Sequence, residues 1–134
     1  MQITLPPGGT VIGLGTDLIE CARVAKVLER QGDRFLDRVY TPAERSYCMQ
    51  MKNPTPHLAA RFAAKEAVSK AFTTGIGAEL GWRSIEVRKG ERGEPIVHLD
   101  EKGRALLHSL GGSGVLLSLA HTAVYGHAVA LLLK

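Results

Sequence analysis

The chain has 134 residues, with 17 Lys and Arg against 13 Asp and Glu and a formal net charge of +4. That length suits one domain, residues 1–134, able to bury roughly two thirds of its unfolded surface, with no room for a second. Its apolar runs are too short to cross a membrane, the Met1-Gln-Ile-Thr-Leu-Pro-Pro7 start lacks the charged and apolar parts of a secretory signal, and Cys21 and Cys48 follow no metal or redox spacing. The expectation is a cytoplasmic protein with two ordinary thiols and no membrane partner.

Thr10 to Gly15 reads as an apolar strand that closes in Gly13-Leu-Gly-Thr-Asp17, placing a carboxylate just past the strand's end. Asp17 either caps the helix that follows or holds a cation, and two carboxylate oxygens allow both. Along that helix Arg23, Lys26 and Arg30 recur at helical spacing, opposite a core-facing stripe of Val24, Val27 and Leu28. The basic face is either ordinary solvated surface or, beside a phosphate site, a dock for an acidic helical protein. Thr41-Pro-Ala-Glu44 supplies a hydroxyl cap, a first-turn proline and the glutamate of a capping box, predicting a helix to about Met51. Asn53-Pro-Thr-Pro56 breaks it and launches a long helix that runs out between Thr73 and Gly77.

The long helix holds the second informative stretch, Phe62-Ala-Ala-Lys-Glu66-Ala-Val-Ser-Lys70. At about 100° per residue, Ala59, Phe62, Ala63, Glu66 and Lys70 share one side, while Leu58, Ala64, Val68, Ala71 and Phe72 fill much of the other. A glutamate set among Ala and Phe is short of water and asks for a cation. Lys70, one turn on, supplies one as an i, i+4 partner. A metal shared with Asp17 is the other answer. Hard sites with one or two protein carboxylates suit Mg²⁺, which keeps waters and completes its shell with phosphate oxygens, so a phosphate-bearing substrate is expected. Arg61, Lys65 and Lys70 on the same helix, with Lys52 and His57 upstream, fit such a substrate, although a solvated helix face explains Lys65 equally well.

Ser84 to Arg88 and Ile96 to Leu99 read as strands joined by the Gly90-Glu-Arg-Gly93 turn, and Asp100 to Leu110 as an amphipathic helix stopped by Gly111. Val115 to Ala120 and Val124 to Leu133 supply two more strands. Helices intermixed with short, mostly antiparallel strands make the class α+β. His98, His108 and His127 read as structural or exposed, no histidine pair has zinc spacing, and Trp82 is expected to pack locally.

Gly15-Thr-Asp17 with Arg23 six residues on, Ala60-Arg-Phe-Ala-Ala-Lys-Glu-Ala67 with Lys70, and Ser118-Leu-Ala-His121-Thr122 together resemble the holo-acyl-carrier-protein synthases, a group of the 4′-phosphopantetheinyl transferases. The motifs come in the family's order and spacing over nearly the whole chain. The resemblance implies that family's fold, a mostly antiparallel sheet packed with a long buried helix. It implies transfer of 4′-phosphopantetheine from coenzyme A to a serine of an apo-acyl carrier protein, with Mg²⁺ as cofactor, adenosine 3′,5′-bisphosphate as leaving group and no covalent enzyme intermediate.

By the same resemblance, Asp17 and Glu66 are the metal ligands, with Lys70 the third catalytic residue. Arg61, Lys70 and His57 contact coenzyme A phosphates, with Ser69 nearby; Pro95 lies on the adenine side; His121 and Thr122 line the nucleotide from a neighbouring subunit. Arg23 holds the acidic carrier, and a homotrimer with shared sites is implied. Two departures from the family pattern stand out: Thr73 where many relatives have Gly, and Ala120 where Ser is frequent. Two other readings compete. A noncatalytic coenzyme A or nucleotide sensor would keep the binding residues. A small basic nucleic-acid-binding module would explain a pI near 9.3 but neither the two acids nor an aromatic content of only 5%.

Overall fold

The computed structural model describes residues 10–134, and the Met1–Pro7 stretch read above for a signal lies outside the described residues. In chain order the elements are β1 (Val11–Glu20), α1 (Cys21–Gln31), α2 (Asp33–Val39), α3 (Pro42–Met49), α4 (Pro54–Ala71), a short 3₁₀ turn (Trp82–Ser84), β2 (Ile85–Lys89), β3 (Pro95–Leu99), α5 (Glu101–Ser109), β4 (Gly114–His121) and β5 (Tyr125–Leu133). The strands form two antiparallel sheets, a three-stranded one in the order β1-β5-β4 and the β2-β3 hairpin.

The expected α+β class holds, and α4 is the long buried helix at its centre. Pro at the first turn starts it, and its residues are buried on nearly every side, from Leu58, Ala59 and Ala60 through Ala67, Val68 and Ala71. A helix buried on nearly every side belongs inside a core, and here the three-stranded sheet covers one flank while α1, α3 and β2 close the others.

The small residues of α4 set how closely the sheet approaches. A Cβ on Gly15 would stand 1.9 Å from the Ala67 carbonyl oxygen and 2.7 Å from the Ala71 nitrogen, so β1 lies directly on the helix backbone. No side chain is there to give way. Gly15→Ala is expected to destabilise the chain by about 1–3 kcal/mol or more through forced separation of strand and helix, seen as a lower urea midpoint with an unchanged denaturant slope.

Two readings of the N-terminal half need correction. Asp17 is neither past a strand nor a helix cap: β1 continues to Glu20, held by pairing from Asp17 opposite Ala128 to Glu20 opposite Tyr125, and α1 begins at Cys21 with no side-chain cap. The apolar pair Leu18-Ile19 lets the strand run on. Helix α2, which the sequence did not reveal, follows Gly32, whose φ of 53° ends α1 and turns the chain. Its Phe35, Leu36 and Val39 are buried.

Lys65 also departs from its reading. It does not accompany the acids but is fully buried on another side of α4, with Nζ 2.8 Å from Glu44 Oε1, 3.0 Å from the Trp82 carbonyl and bonded to the Ile85 carbonyl. Glu44 completes the predicted capping box with Thr41 and accepts from Val87 N through its other oxygen at 2.7 Å. Burial holds the Lys65 ammonium below the ordinary lysine range, and the Glu44 charge partly offsets this. Trp82 stacks on Phe62 at 4.7 Å between ring centroids.

At the far end of α4, Thr73 has φ 67°, the left-handed conformation that usually falls to Gly just after a helix. That explains why a glycine suits this position. Thr73→Gly is expected to raise stability by about 0.5–1 kcal/mol, the relief of a β-branched residue's strain less glycine's extra chain entropy, read as a higher urea midpoint.

Candidate active site

Strand alternation builds one half of the site. Gly13, Gly15, Asp17 and Ile19 share the face of β1 turned to α4, while Ile12, Leu14, Thr16 and Leu18 point outward. The two glycines bring the strand against the helix turn of Ala67 and Ala71, and Asp17, two residues on, meets the side chains that precede those alanines, Glu66 and Lys70. Asp17, Glu66, Lys70 and Arg23 line one cavity of about 340 Å³ with an apolar wall of Val24, Val27, Phe35 and Phe62.

Lys70 reaches across to β1, its Nζ 2.9 Å from Asp17 Oδ1 and 3.0 Å from the Thr16 carbonyl oxygen. The local partnership with Glu66 at i, i+4 is thus replaced by a contact between elements. Glu66 is half-buried, and its carboxyl is raised above the ordinary glutamate range, first by burial and then by the Asp17 charge, with Lys70 pulling the other way. Two carboxylates and two cations thus line the cavity, and among the described residues Glu66 makes no ion pair of its own. Among the described residues no group of three or more His, Cys, Asp and Glu gathers to hold a metal by itself.

The N-terminal half of α4 builds a second cavity, of about 450 Å³, from His57 and Arg61 together with Tyr47, Arg88, Lys89, Pro95 and His121. It shares no lining residue with the first. The His57 and His121 rings lie 4.7 Å apart. His57 is held below the ordinary histidine range by burial, then by His121, Arg61 and Lys89. Arg61 is only 5% exposed, and its Nε is the one buried side-chain nitrogen or oxygen among the described residues without a hydrogen-bond partner. No carboxylate lines this cavity. Such a lining suits an anion.

The remaining candidates fall around these two cavities. Ser69 is fully buried, its hydroxyl donating to the Glu66 carbonyl at 2.7 Å, so it braces the turn that carries Glu66. Thr122 closes the turn between β4 and β5, its hydroxyl accepting from Val124 N and Tyr125 N. Lys26 and Arg30 are exposed on α1, beyond the lining of the first cavity that Arg23 reaches. Tyr47 and Lys89, which join the anion cavity, were not singled out from the sequence, because a lone tyrosine in a capped helix and a lysine in a hairpin carry no local signal.

Known proteins share this fold. A family model described as the 4′-phosphopantetheinyl transferase superfamily matches residues 13–124. A holo-acyl-carrier-protein synthase of Chlamydia trachomatis serovar L2 is 50% identical over 121 residues, covering 90% of this chain and 98% of the relative. Among solved structures, the Neisseria meningitidis holo-acyl-carrier-protein synthase superposes with a TM-score of 0.87 at 31% identity, over 93% of this chain and 100% of that one. That of Bacillus anthracis, determined in complex with coenzyme A (3′,5′-ADP), gives 0.77 at 36% identity over 92% and 97%. The chain belongs to the 4′-phosphopantetheinyl transferase superfamily, and within that family of enzymes to the holo-acyl-carrier-protein synthases.

Proposed function

We propose that this chain, acting as a single-domain enzyme, transfers 4′-phosphopantetheine from coenzyme A to a serine hydroxyl of an acidic apo-acyl carrier protein and releases adenosine 3′,5′-bisphosphate. The observation that carries the reading is the meeting of Asp17 and Glu66 in one cavity beside Lys70, in a chain of this family. The serine oxygen bonds to the β-phosphorus of coenzyme A, the bond from that phosphorus to the oxygen bridging the two phosphates breaks, and the hydroxyl proton passes to water. Such a displacement calls for alignment and charge neutralisation more than covalent help.

Two hard carboxylates in one pocket, Glu66 without an ion-pair partner among the described residues, suit Mg²⁺, which keeps waters and takes phosphate oxygens. When bound there, the ion neutralises charge developing on the pyrophosphate oxygens. Asp17 and Glu66 hold it, and Lys70, already fixed on Asp17, adds a positive charge at the same edge. Arg61, His57 and His121 suit the remaining phosphate of the nucleotide, with Pro95 in the same cavity available to the adenine side. Arg23 at the rim of the first cavity, continued by exposed Lys26 and Arg30, suits an acidic carrier approaching the acid site. A fatty-acid carrier is the default, which places the reaction in fatty acid biosynthesis. Two buried free cysteines suit the reducing cytoplasm, and no helix among the described residues is long and apolar enough to cross a membrane.

The two cavities are halves to be joined between copies of the chain in a homotrimer. What supports this is the outer face of the three-stranded sheet, where Leu14 and Leu18 are 65% and 61% exposed, continued by Ile12 and Tyr125. Apolar side chains in such a row call for a covering surface. Mixing separately inactive Glu66 and His121 variants is expected to restore part of the activity, and mixed oligomers no more active than their parents would count against a shared site.

The direct test of the reaction is incubation with coenzyme A, Mg²⁺ and an apo-carrier, followed by mass spectrometry of the carrier. The expected result is the phosphopantetheine increment. Coenzyme A binding with no increment on any of a panel of carriers would favour the sensor reading.

A further inference from the structure

The anion cavity poses a physical problem that the coenzyme A reading leaves open, namely what holds its cations in place before any anion arrives. Arg61 is almost completely buried, makes no ion pair within the salt-bridge distance among the described residues, and shares its cavity with Arg88, Lys89, His57 and His121. A buried charge without a partner is costly. Glu44, the buried acid of the adjoining crevice, has both oxygens engaged, one by Lys65 and Thr41 N and the other by Val87 N.

The remaining electron-rich surface at this place is the ring of Tyr47. The Arg61 guanidinium carbon lies 4.2 Å from the ring centroid and the Lys89 ammonium 4.6 Å. The His57 ring meets Tyr47 edge-on at 6.2 Å. Three elements thus meet at one aromatic ring: Tyr47 comes from α3, Arg61 and His57 from α4, and Lys89 from the end of β2. A ring attracts cations through its quadrupole but makes no directed hydrogen bond to their N–H groups. Arg61 is therefore steadied without having its donors spent, whereas a carboxylate would consume those donors and cancel the charge.

We propose that Tyr47 is a positioning residue for the nucleotide phosphate: its ring holds Arg61 and Lys89 ready, with their N–H donors free for the incoming anion. This rests on the coenzyme A reading of the cavity. The ring need not touch the substrate, and the phenolic hydroxyl plays no part.

The test compares Tyr47→Leu with Tyr47→Phe in the full-length enzyme, measuring transfer kinetics with coenzyme A and with 3′-dephospho-coenzyme A, and binding of adenosine 3′,5′-bisphosphate by calorimetry. Tyr47→Leu is expected to raise KM for coenzyme A and weaken bisphosphate binding about tenfold, the scale of losing two cation–π contacts of which one, at Lys89, is exposed, with the loss falling on KM rather than kcat. KM for 3′-dephospho-coenzyme A moves much less, so the preference for coenzyme A narrows. Tyr47→Phe, which keeps the ring, stays within about twofold of wild type, since the ring face makes both contacts. A Tyr47→Leu protein that binds the bisphosphate as wild type does overturns the proposal. So does a Tyr47→Phe protein as impaired as Tyr47→Leu, or a Tyr47→Leu defect equal for the two substrates. Failure of wild type itself to bind coenzyme A or the bisphosphate would instead overturn the underlying reading of the cavity.

Discussion

Glu66→Gln is expected to lower transfer by about a thousandfold or more, because it removes one of two carboxylates proposed to grip the metal and so forfeits several kcal/mol of charge stabilisation. The same substitution should leave the metal-free chain at least as stable as wild type at neutral pH. The reason lies in the sign of the Glu66 shift. Its carboxyl is raised in the folded chain by burial and by Asp17, so the fold binds this proton more tightly than the unfolded chain does. That contribution is fully present below the ordinary glutamate range and is lost as pH rises through the raised value. At neutral pH the ionised side chain is a burden on the metal-free fold, and an uncharged amide of the same shape relieves it. Thermal melting without metal, alongside mass-spectrometric transfer assays with Mg²⁺, reads both effects. Transfer at the wild-type rate by Glu66→Gln would defeat the metal assignment. A large drop in melting temperature would show Glu66 serving the fold instead.

Lys65→Met should destabilise the chain by about 3–5 kcal/mol, a large part of the 5–15 kcal/mol that usually separates folded from unfolded protein. It strips the counter-charge from Glu44 in a place without water, since both side chains are completely buried. Glu44→Gln should cost a comparable amount by isolating the ammonium. The double variant is expected to recover much of the loss, because a pair of uncharged groups leaves no orphaned ion. Urea unfolding of the three proteins measures the coupling. Strict additivity of the two single effects would mean that the pair contributes nothing as a pair. The neighbouring position, Glu66, makes this more than a matter of stability: Lys65 ties α4 to α3 and to the segment before β2, and so fixes the rotation at which the next side chain enters the acid cavity.

The sequence foretold the parts of this molecule that repeat a local rule. Thr41 to Glu44 announced a cap because capping depends on residues three apart, and Asn53 to Pro56 announced a restart because proline dictates its own neighbourhood. That Asp17 and Glu66 would face one another was legible from a carboxylate stranded in each of two water-poor segments. What escaped was whatever depends on distant partners. Lys65 was divided between a solvated face and a cation for the substrate because nothing near it in sequence reveals Glu44 waiting across the core. Asp17 was placed past its strand, where it could cap a helix or hold a cation, because the pairing that carries β1 on to Glu20 is supplied by β5 at the other end of the chain. Tyr47 was silent since its value lies in two cations brought to it by other elements.

One uninterrupted helix serves both cavities, with His57 and Arg61 near its start and Glu66 and Lys70 near its end. The axial offset from His57 to Glu66 is consequently a fixed rise of about 13 Å, and a single inserted or deleted residue between them would swing every later side chain by about 100°. Length polymorphism should therefore be forbidden within this segment, so that naturally occurring indels, wherever they are found, trace the outline of the rod without touching it.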